Sequence, residues 1–449
     1  MPRIRSFALL ALVVATAFAA NAQATDAKAI VYSGAALFDG TGAALRPDMA
    51  IVTQNERITA VIPESDLSRI APANAEIIDV HGQFVIPGLI NSHVHLATTP
   101  DPVSAKAYLR RDLYSGVTAV RDMAGDARLL AELSREAQFN EIASPDIYYA
   151  ALMAGPEFFK DPRTHQSSQG WLPGRAPWMR AIARQTDLRL AIAEAHGTGA
   201  TAIKIYADLP AFLVRAISAE AHRQHMLVWA HAAVFPASPR DVVEADVDVA
   251  SHACMLGYQA AKTMPRAYHN RTPVNAADVA NATPTMEKLF AEMKKRGTIL
   301  DATLYVYDEM WRVPHADPPP YCTLALAELI AGEAYRAGIP ISAGTDGEAD
   351  RKAPYSALDD ELELLVQKAG MTSAEAIRAA TVTGARTIGE QSAMGTIEPG
   401  KLANFVFLAK NPLDGIANLR TVVITVKHGK IYRRDDYKPI TKDEAKSEM

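Results

Sequence analysis

His93 and His95 stand two apart at the end of an apolar run, Pro87-Gly88-Leu89-Ile90-Asn91-Ser92-His93-Val94-His95. In an extended strand, residues two apart share a face, so the two imidazoles project together while Val94 faces away. Paired imidazoles are poor core material and good nitrogen donors for a first-row metal ion. A lone His-x-His is a weak signal, and its bland reading is two histidines satisfied by backbone or water. Here four further residues answer the pair in chain order. Lys204 sits in Ile203-Lys204-Ile205-Tyr206 and His231 closes Val228-Trp229-Ala230-His231. His252 closes Ala250-Ser251-His252, and Asp346 closes Ser342-Ala343-Gly344-Thr345-Asp346. Each lies at or near the C-terminal end of an apolar run. A lysine inside such a run carries a large desolvation cost unless it is paired or chemically changed. Four histidines, an aspartate and an anomalous lysine are the donor set that two divalent metal ions would need. The other histidines, His81, His165, His196, His222, His225, His269, His315 and His428, fall off this pattern. Tyr206 follows Lys204 by two residues, so the same periodicity points it toward the same opening as a candidate substrate contact. Barrel packing is its alternative role.

These residues need a scaffold that brings many strand ends to one place. Residues 87–395 alternate short apolar runs with longer helical patterns, the signature of βα units around a parallel sheet. The first strand candidate ends at His95; the others cover residues 117–123, 146–153, 202–206, 226–231, 247–252, 298–303 and 340–346. Helical stretches include residues 129–139, 188–196, 211–224, 324–337 and 358–369. Eight such units in about 300 residues predict an α/β fold, a (β/α)8 TIM barrel, with its strand ends converging on one mouth. Short β-type runs flank it at residues 29–32, 49–52, 58–62 and 76–80, and again at 404–408, 422–426 and 429–432. They predict a small discontinuous β-sandwich domain with halves at 28–86 and 396–436. Residues 437–449 read as a charged, solvated tail.

Three connections, 154–178, 256–284 and 305–321, are long and irregular, and loops at that end of a barrel shape the substrate pocket. Phe158, Phe159, Trp171, Trp178, Tyr305, Tyr307 and Trp311 are candidates for an apolar lining. Arg163, Arg175 or Arg266 could meet a carboxylate.

Composition excludes other classes. The 449 residues are 22% charged and 49% hydrophobic, with a net charge of −5. No basic run suits nucleic acid or an anionic membrane. Cys254 and Cys322 are too few for a disulfide framework. The expectation is two separate buried thiols; a single bridge in an oxidising compartment is the alternative. At the N-terminus, Arg3 and Arg5 precede an apolar run at 7–20. Alanines at 20 and 22, or at 22 and 24, then offer a cleavage site. That predicts a cleavable signal peptide over residues 1–24 and a periplasmic or secreted mature chain. The run is short for a membrane span, so no membrane partner is expected once it is removed.

Together these motifs resemble the amidohydrolase superfamily. The resemblance is carried by Val85-Ile86-Pro87-Gly88-Leu89-Ile90 before the histidine pair and by Gly116-Val117-Thr118-Ala119-Val120-Arg121-Asp122 on the second strand. Glu398-Pro399-Gly400-Lys401-Leu402-Ala403-Asn404 near the end completes it. Within the superfamily the chain is most similar to the imidazolonepropionase-related, prolidase-like members. That similarity implies a carboxylated Lys204 bridging two zinc ions, one held by His93, His95 and Asp346 and the other by His231 and His252. It implies attack of a metal-bridging hydroxide on an amide or peptide carbonyl, with Asp346 as general base and then general acid. It also implies a small-molecule or short-peptide substrate, a dipeptide or N-acyl amino acid with a hydrophobic C-terminal residue, and a homo-oligomer. Three positions depart from the family pattern: Asn91 and Asn404 stand where Asp is usual or frequent, and Ser251 where Glu is usual. A lactonase or phosphotriesterase-type hydrolase on the same dinuclear site is the main alternative. A deaminase would use one metal and would not need Lys204. A non-catalytic barrel relative would have lost ligands, and all six are present.

Overall fold

The computed structural model describes residues 28–312 and 321–445. The expected signal peptide, His315 and the prolines at 318–320 lie outside the described residues.

Five strands lead the chain: β1 (Ile30–Leu37), β2 (Arg46–Gln54), β3 (Arg57–Pro63), β4 (Glu76–Asp79) and β5 (Phe84–Pro87). The barrel strands follow as β6 (Leu89–Val94), β7 (Val117–Asp122) and β8 (Asp146–Ala154). A short hairpin, β9 (Arg175–Ala176) and β10 (Met179–Ala181), lies along the end of β8. The barrel continues with β11 (Ala202–Ile205), β12 (Leu227–His231), β13 (Val249–Ser251), β14 (Ile299–Asp301) and β15 (Ile341–Ser342). Last come β16 (Phe405–Leu408), β17 (Val422–Lys427) and β18 (Lys430–Arg433).

The eight barrel strands pair in parallel in chain order. Between β15 and β6, Ser92 N donates to Ala343 O at 2.8 Å and Asp346 N to His93 O at 3.0 Å. The strands are buried on both faces, which is why they read as apolar runs rather than as alternating patterns. Their register sets the site: Lys204 lies opposite Trp229, His231 opposite Ser251, Ser251 opposite Asp301 and Asp301 opposite Ser342. Helices on the outside start where the sequence offers a cap. Asp126 caps Ala127–Gln138 and Asp187 caps Leu188–His196, each through a backbone N–H near the helix start.

Both chain ends build one mixed sheet in the order β18-β17-β16-β5-β1-β2-β3, with β4 also on β1. Tyr32, Phe405 and Phe407 pack together in its apolar cluster. β16 runs antiparallel to β5, so the C-terminal half is hydrogen-bonded directly to the strand that enters the barrel.

Three expectations change. The run from Pro87 to His95 is not one strand, because the chain leaves the terminal sheet at β5 and enters the barrel at β6 across Gly88. A Cβ at Gly88 would collide with Thr118 of β7, so only glycine permits the close approach there. Cys254 and Cys322 are not separate thiols: they form a disulfide with Cα atoms 6.2 Å apart. Their 68-residue separation hid that proximity from the sequence. The tail is not wholly solvated either. Ile440 and Ala445 are buried against Ala107, and Glu444 pairs with Arg110 at 2.9 Å.

Candidate active site

His93 is the last residue but one of β6 and is 1% exposed, and His95 lies one residue past the strand at the mouth. Their rings are 5.3 Å apart between centroids. Asp346 meets both: its Oδ1 is 3.3 Å from His93 Nε2 and 3.1 Å from His95 Nε2. Those three residues form a compact group that could hold a metal ion. His252 joins them, its ring 5.0 Å from that of His93 and its Nδ1 3.7 Å from Asp346 Oδ2. His231 is 4.9 Å from His252 between ring centroids. Lys204 lies beneath, fully buried on β11. Of the six residues singled out in the sequence, His95, His231, His252 and Asp346 line one opening, and His93 and Lys204 are buried beside them.

Two of these residues sit on strained backbone. His252 has φ 75° and Asp346 has φ 50°, the left-handed region that non-glycine residues avoid. The turn that follows each strand end swings the side chain inward instead of continuing the pleat.

A network behind the donors fixes their orientation. Asp301 Oδ2 accepts from His93 Nδ1 at 2.7 Å, Arg121 Nη2 at 2.8 Å and Ser251 Oγ at 2.9 Å. The His93 bond places the proton on Nδ1 and leaves the Nε2 lone pair facing Asp346 and the mouth. Arg121 is itself buried, donates through Nε to Ser92 O, and lies 4.7 Å over the Trp229 ring. Asn91 ties the first strand to the last. Its Oδ1 accepts from His93 N and Thr345 N, and its Nδ2 donates to Thr345 Oγ1 at 3.0 Å. That double role needs an amide, which accounts for asparagine at this position. Ser251, another departure, is one of the three donors to Asp301.

The electrostatics are those of a crowded, buried polar cluster. Burial, helped by Arg121, pushes Lys204 down to about 7, and its Nζ has no hydrogen-bond partner among the described residues. Burial also lowers His252 to about 3 and holds His231 well below the usual imidazole range. His231 Nδ1 is likewise unpartnered. Burial alone would raise Asp346, but the surrounding histidines outweigh it and hold its carboxyl well below the ordinary range. So the cluster contains an ionised carboxylate, two neutral imidazoles and an amine close to neutrality.

The donors open onto a cavity of about 550 Å³, of the size that holds a small organic ligand. Tyr206 lines it, with its ring 4.0 Å from His231 and 5.5 Å from Tyr268. Of the loop residues named from the sequence, Phe158 and Arg163 line it. Phe159, Trp178, Tyr305 and Tyr307 are buried in loop packing, and Arg175 borders a different depression. Trp171 and Trp311 stand partly exposed, and neither they nor Arg266 line the cavity. The sequence did not single out Tyr268, Arg271, Tyr321, Asp161, Asp301 or Thr303. His269, set aside as off-pattern, also lines the cavity. Asp301 carried a usable signal, since it ends a strand in the same barrel; the loop residues carried none.

Residues 84–432 match the amidohydrolase family. The ochratoxinase of Aspergillus niger is 26% identical over 463 aligned positions, covering 90% of this chain and 86% of its own. Its crystal structure superposes with a TM-score of 0.71 at 22% identity, over 91% of this chain and 96% of that one. A crystal structure of a Xaa-Pro dipeptidase with methionine bound in its active site gives 0.70 at 20% identity, over 90% of this chain and all of that one. With the barrel, the terminal sheet and the family match in agreement, the chain belongs to the amidohydrolase family and is a hydrolase of carbon–nitrogen bonds.

Proposed function

We propose that the chain is an exported, metal-dependent hydrolase that releases an amino acid with a hydrophobic side chain from a dipeptide or N-acyl conjugate. The observation that carries this reading is the buried Lys204 amine, without a hydrogen-bond partner among the described residues, beside four histidines and Asp346. A buried amine with no partner is costly unless it is neutral or chemically modified. Near neutrality it can add carbon dioxide, losing a proton and becoming a carbamate with two oxygen donors. His93, His95 and Asp346 would hold one divalent ion, zinc by donor type, and His231 and His252 would hold a second, with carboxylated Lys204 available to both. When bound, such ions supply Lewis acidity that ionises water near pH 7 instead of about 16 and polarises the scissile carbonyl.

Asp346 is the group placed to move protons. Ionised at rest, it receives the proton of the attacking water and returns it to the leaving amine. His93 keeps the correct tautomer through Asp301. Tyr206 donates to the substrate carbonyl or carboxylate from the cavity wall. Arg271 puts positive charge where a product carboxylate would bind, while Arg163 on the same wall is paired with Asp161 at 2.7 Å. Phe158, Met179 and Val306 supply the apolar lining. The names of the similar proteins, a dipeptidase and an ochratoxinase, agree with an amide bond as the target. The Cys254–Cys322 disulfide supports an oxidising, extracytoplasmic location.

The test is elemental analysis of the purified protein beside a Lys204→Ala variant. About two zinc ions per chain, lost in the variant, support the reading; one ion, unchanged in the variant, moves it to a mononuclear, deaminase-like enzyme. A panel of dipeptides, N-acyl amino acids, lactones and phosphotriesters then decides the bond, and turnover of the last two alone would replace the amide assignment.

A further inference from the structure

Arg271 reaches the cavity from a loop and not from a barrel strand. Arg271 is clamped between rings, its guanidinium carbon 4.1 Å from the centre of Tyr268 and 4.3 Å from that of Tyr321. Its Nη1 donates to Tyr268 O at 2.7 Å. Its Nε is buried with no hydrogen-bond partner among the described residues. Tyr321 is thus one jaw of the clamp. It also accepts at its backbone oxygen from Val274 N at 2.8 Å, and its hydroxyl lies 2.9 Å from that of Tyr307.

The jaw is pinned at one covalent point. Cys322, the residue after Tyr321, is bonded to Cys254, two residues beyond His252. Cys254 belongs to the short helix Ala253–Ala260, which starts directly at the end of β13 and is 0% exposed at that residue. Ala253 N donates to Ala302 O at 3.1 Å and Met255 N to His252 O at 2.9 Å, so this anchor is part of the barrel rim. The bond therefore fixes a loop ring against the rim, and that ring fixes the arginine.

We propose that the Cys254–Cys322 disulfide is a positioning element for substrate: it holds Tyr321, and through it Arg271, where a substrate carboxylate binds. The inference rests on the carboxylate-bearing substrate of the proposed function. Neither sulfur touches substrate. Without the bond, Tyr321 keeps only its hydrogen bonds to Val274 and Tyr307, so its ring shifts more readily off Arg271. The arginine, then stacked on one face by Tyr268 alone, samples more rotamers, and binding must re-order it. The effect falls on affinity for the carboxylate and leaves the donor cluster intact.

The experiment uses the zinc-loaded full chain, wild type and a Cys254→Ala/Cys322→Ala double variant, with a matched ligand pair. N-acetylphenylalanine carries the carboxylate; N-acetylphenethylamine has the same ring and amide without it. Dissociation constants come from calorimetry and turnover from amine release. Wild type is expected to prefer the acid by tenfold or more. The double variant should lose that preference, with Kd and KM for the acid raised about tenfold. Its values for the neutral amide, its kcat and its metal content should stay within twofold. Arg271→Ala should reproduce the loss, and adding it to the double variant should worsen nothing further. A double variant that melts earlier yet keeps its preference for the acid overturns the inference, as does an equal rise for both ligands. A wild type with no preference for the acid also overturns it. Metal content and hydrolysis of the neutral amide report separately on the proposed function.

Discussion

Asp301 accepts three charged or polar donors in a site closed to water, so Asp301→Asn separates two of its roles. One role is electrostatic: Asp301 is the counter-ion of Arg121, and both side chains are 0% exposed. Removing one partner of a buried pair costs about 3–5 kcal/mol, because the other charge is left uncompensated. The second role is orientation of His93 through the 2.7 Å bond to Nδ1. Loss of such an orienting carboxylate lowers metal affinity or activity roughly 10–100-fold, about 1.4–2.7 kcal/mol. The variant should therefore unfold at markedly lower urea and retain less zinc after dialysis, with kcat/KM down by one to two orders of magnitude. Adding Arg121→Met removes the orphaned cation. The double variant should recover most of the stability and none of the activity. Wild-type zinc retention and kcat/KM in Asp301→Asn, or full recovery of activity in the double variant, would refute the orienting role.

Three further outcomes are expected. Tyr206→Phe should lower kcat/KM three- to tenfold, the worth of one neutral hydrogen bond at ~0.7–1.4 kcal/mol, with zinc content unchanged; an unchanged kcat/KM would leave the ring only a packing role. Gly344→Ala should destabilise by about 1–3 kcal/mol and weaken zinc retention. Its new Cβ would lie 2.6 Å from His93 Cβ and closer still to the Asp301 carboxylate; a soluble variant with wild-type thermal stability would refute the packing argument. Burial raises Glu361 to about 8 from 4.5, with its Oε2 accepting from Tyr305 N at 2.7 Å. The folded state then holds a proton that the unfolded state releases, so this residue's contribution is fully present below pH ~4.5. It is lost as pH rises to ~8, by up to about 4–5 kcal/mol. Glu361→Gln should flatten that decline in thermal unfolding between pH 5 and 9; an identical pH profile in the variant would contradict it.

The barrel was legible, and so was the placement of six polar residues at its strand ends, because period and position carry them. Strands buried on both faces must be apolar throughout, so a His, Lys or Asp at the end of such a run stands out without coordinates. The order of those residues along the chain then matched the order of the strands. The pairing of the two chain ends was legible for a similar reason, since short β-type runs with turn residues recur at both. What surrounds the donors was not legible. Arg271, Tyr268, His269 and Tyr321 reach the cavity from loops, whose paths follow no periodicity and are set by contacts between distant segments. The same holds for the disulfide, because a 68-residue separation says nothing about whether two Cα atoms come within 6.2 Å. The left-handed turns at His252 and Asp346 are also a tertiary decision: packing overrides the local preference of those residues and aims both side chains inward. Sequence alone determined which atoms are available for chemistry and which strand carries each one. Tertiary structure decided which tautomer His93 holds, what faces the substrate, and what keeps that face in place, because those depend on through-space neighbours that chain order does not encode.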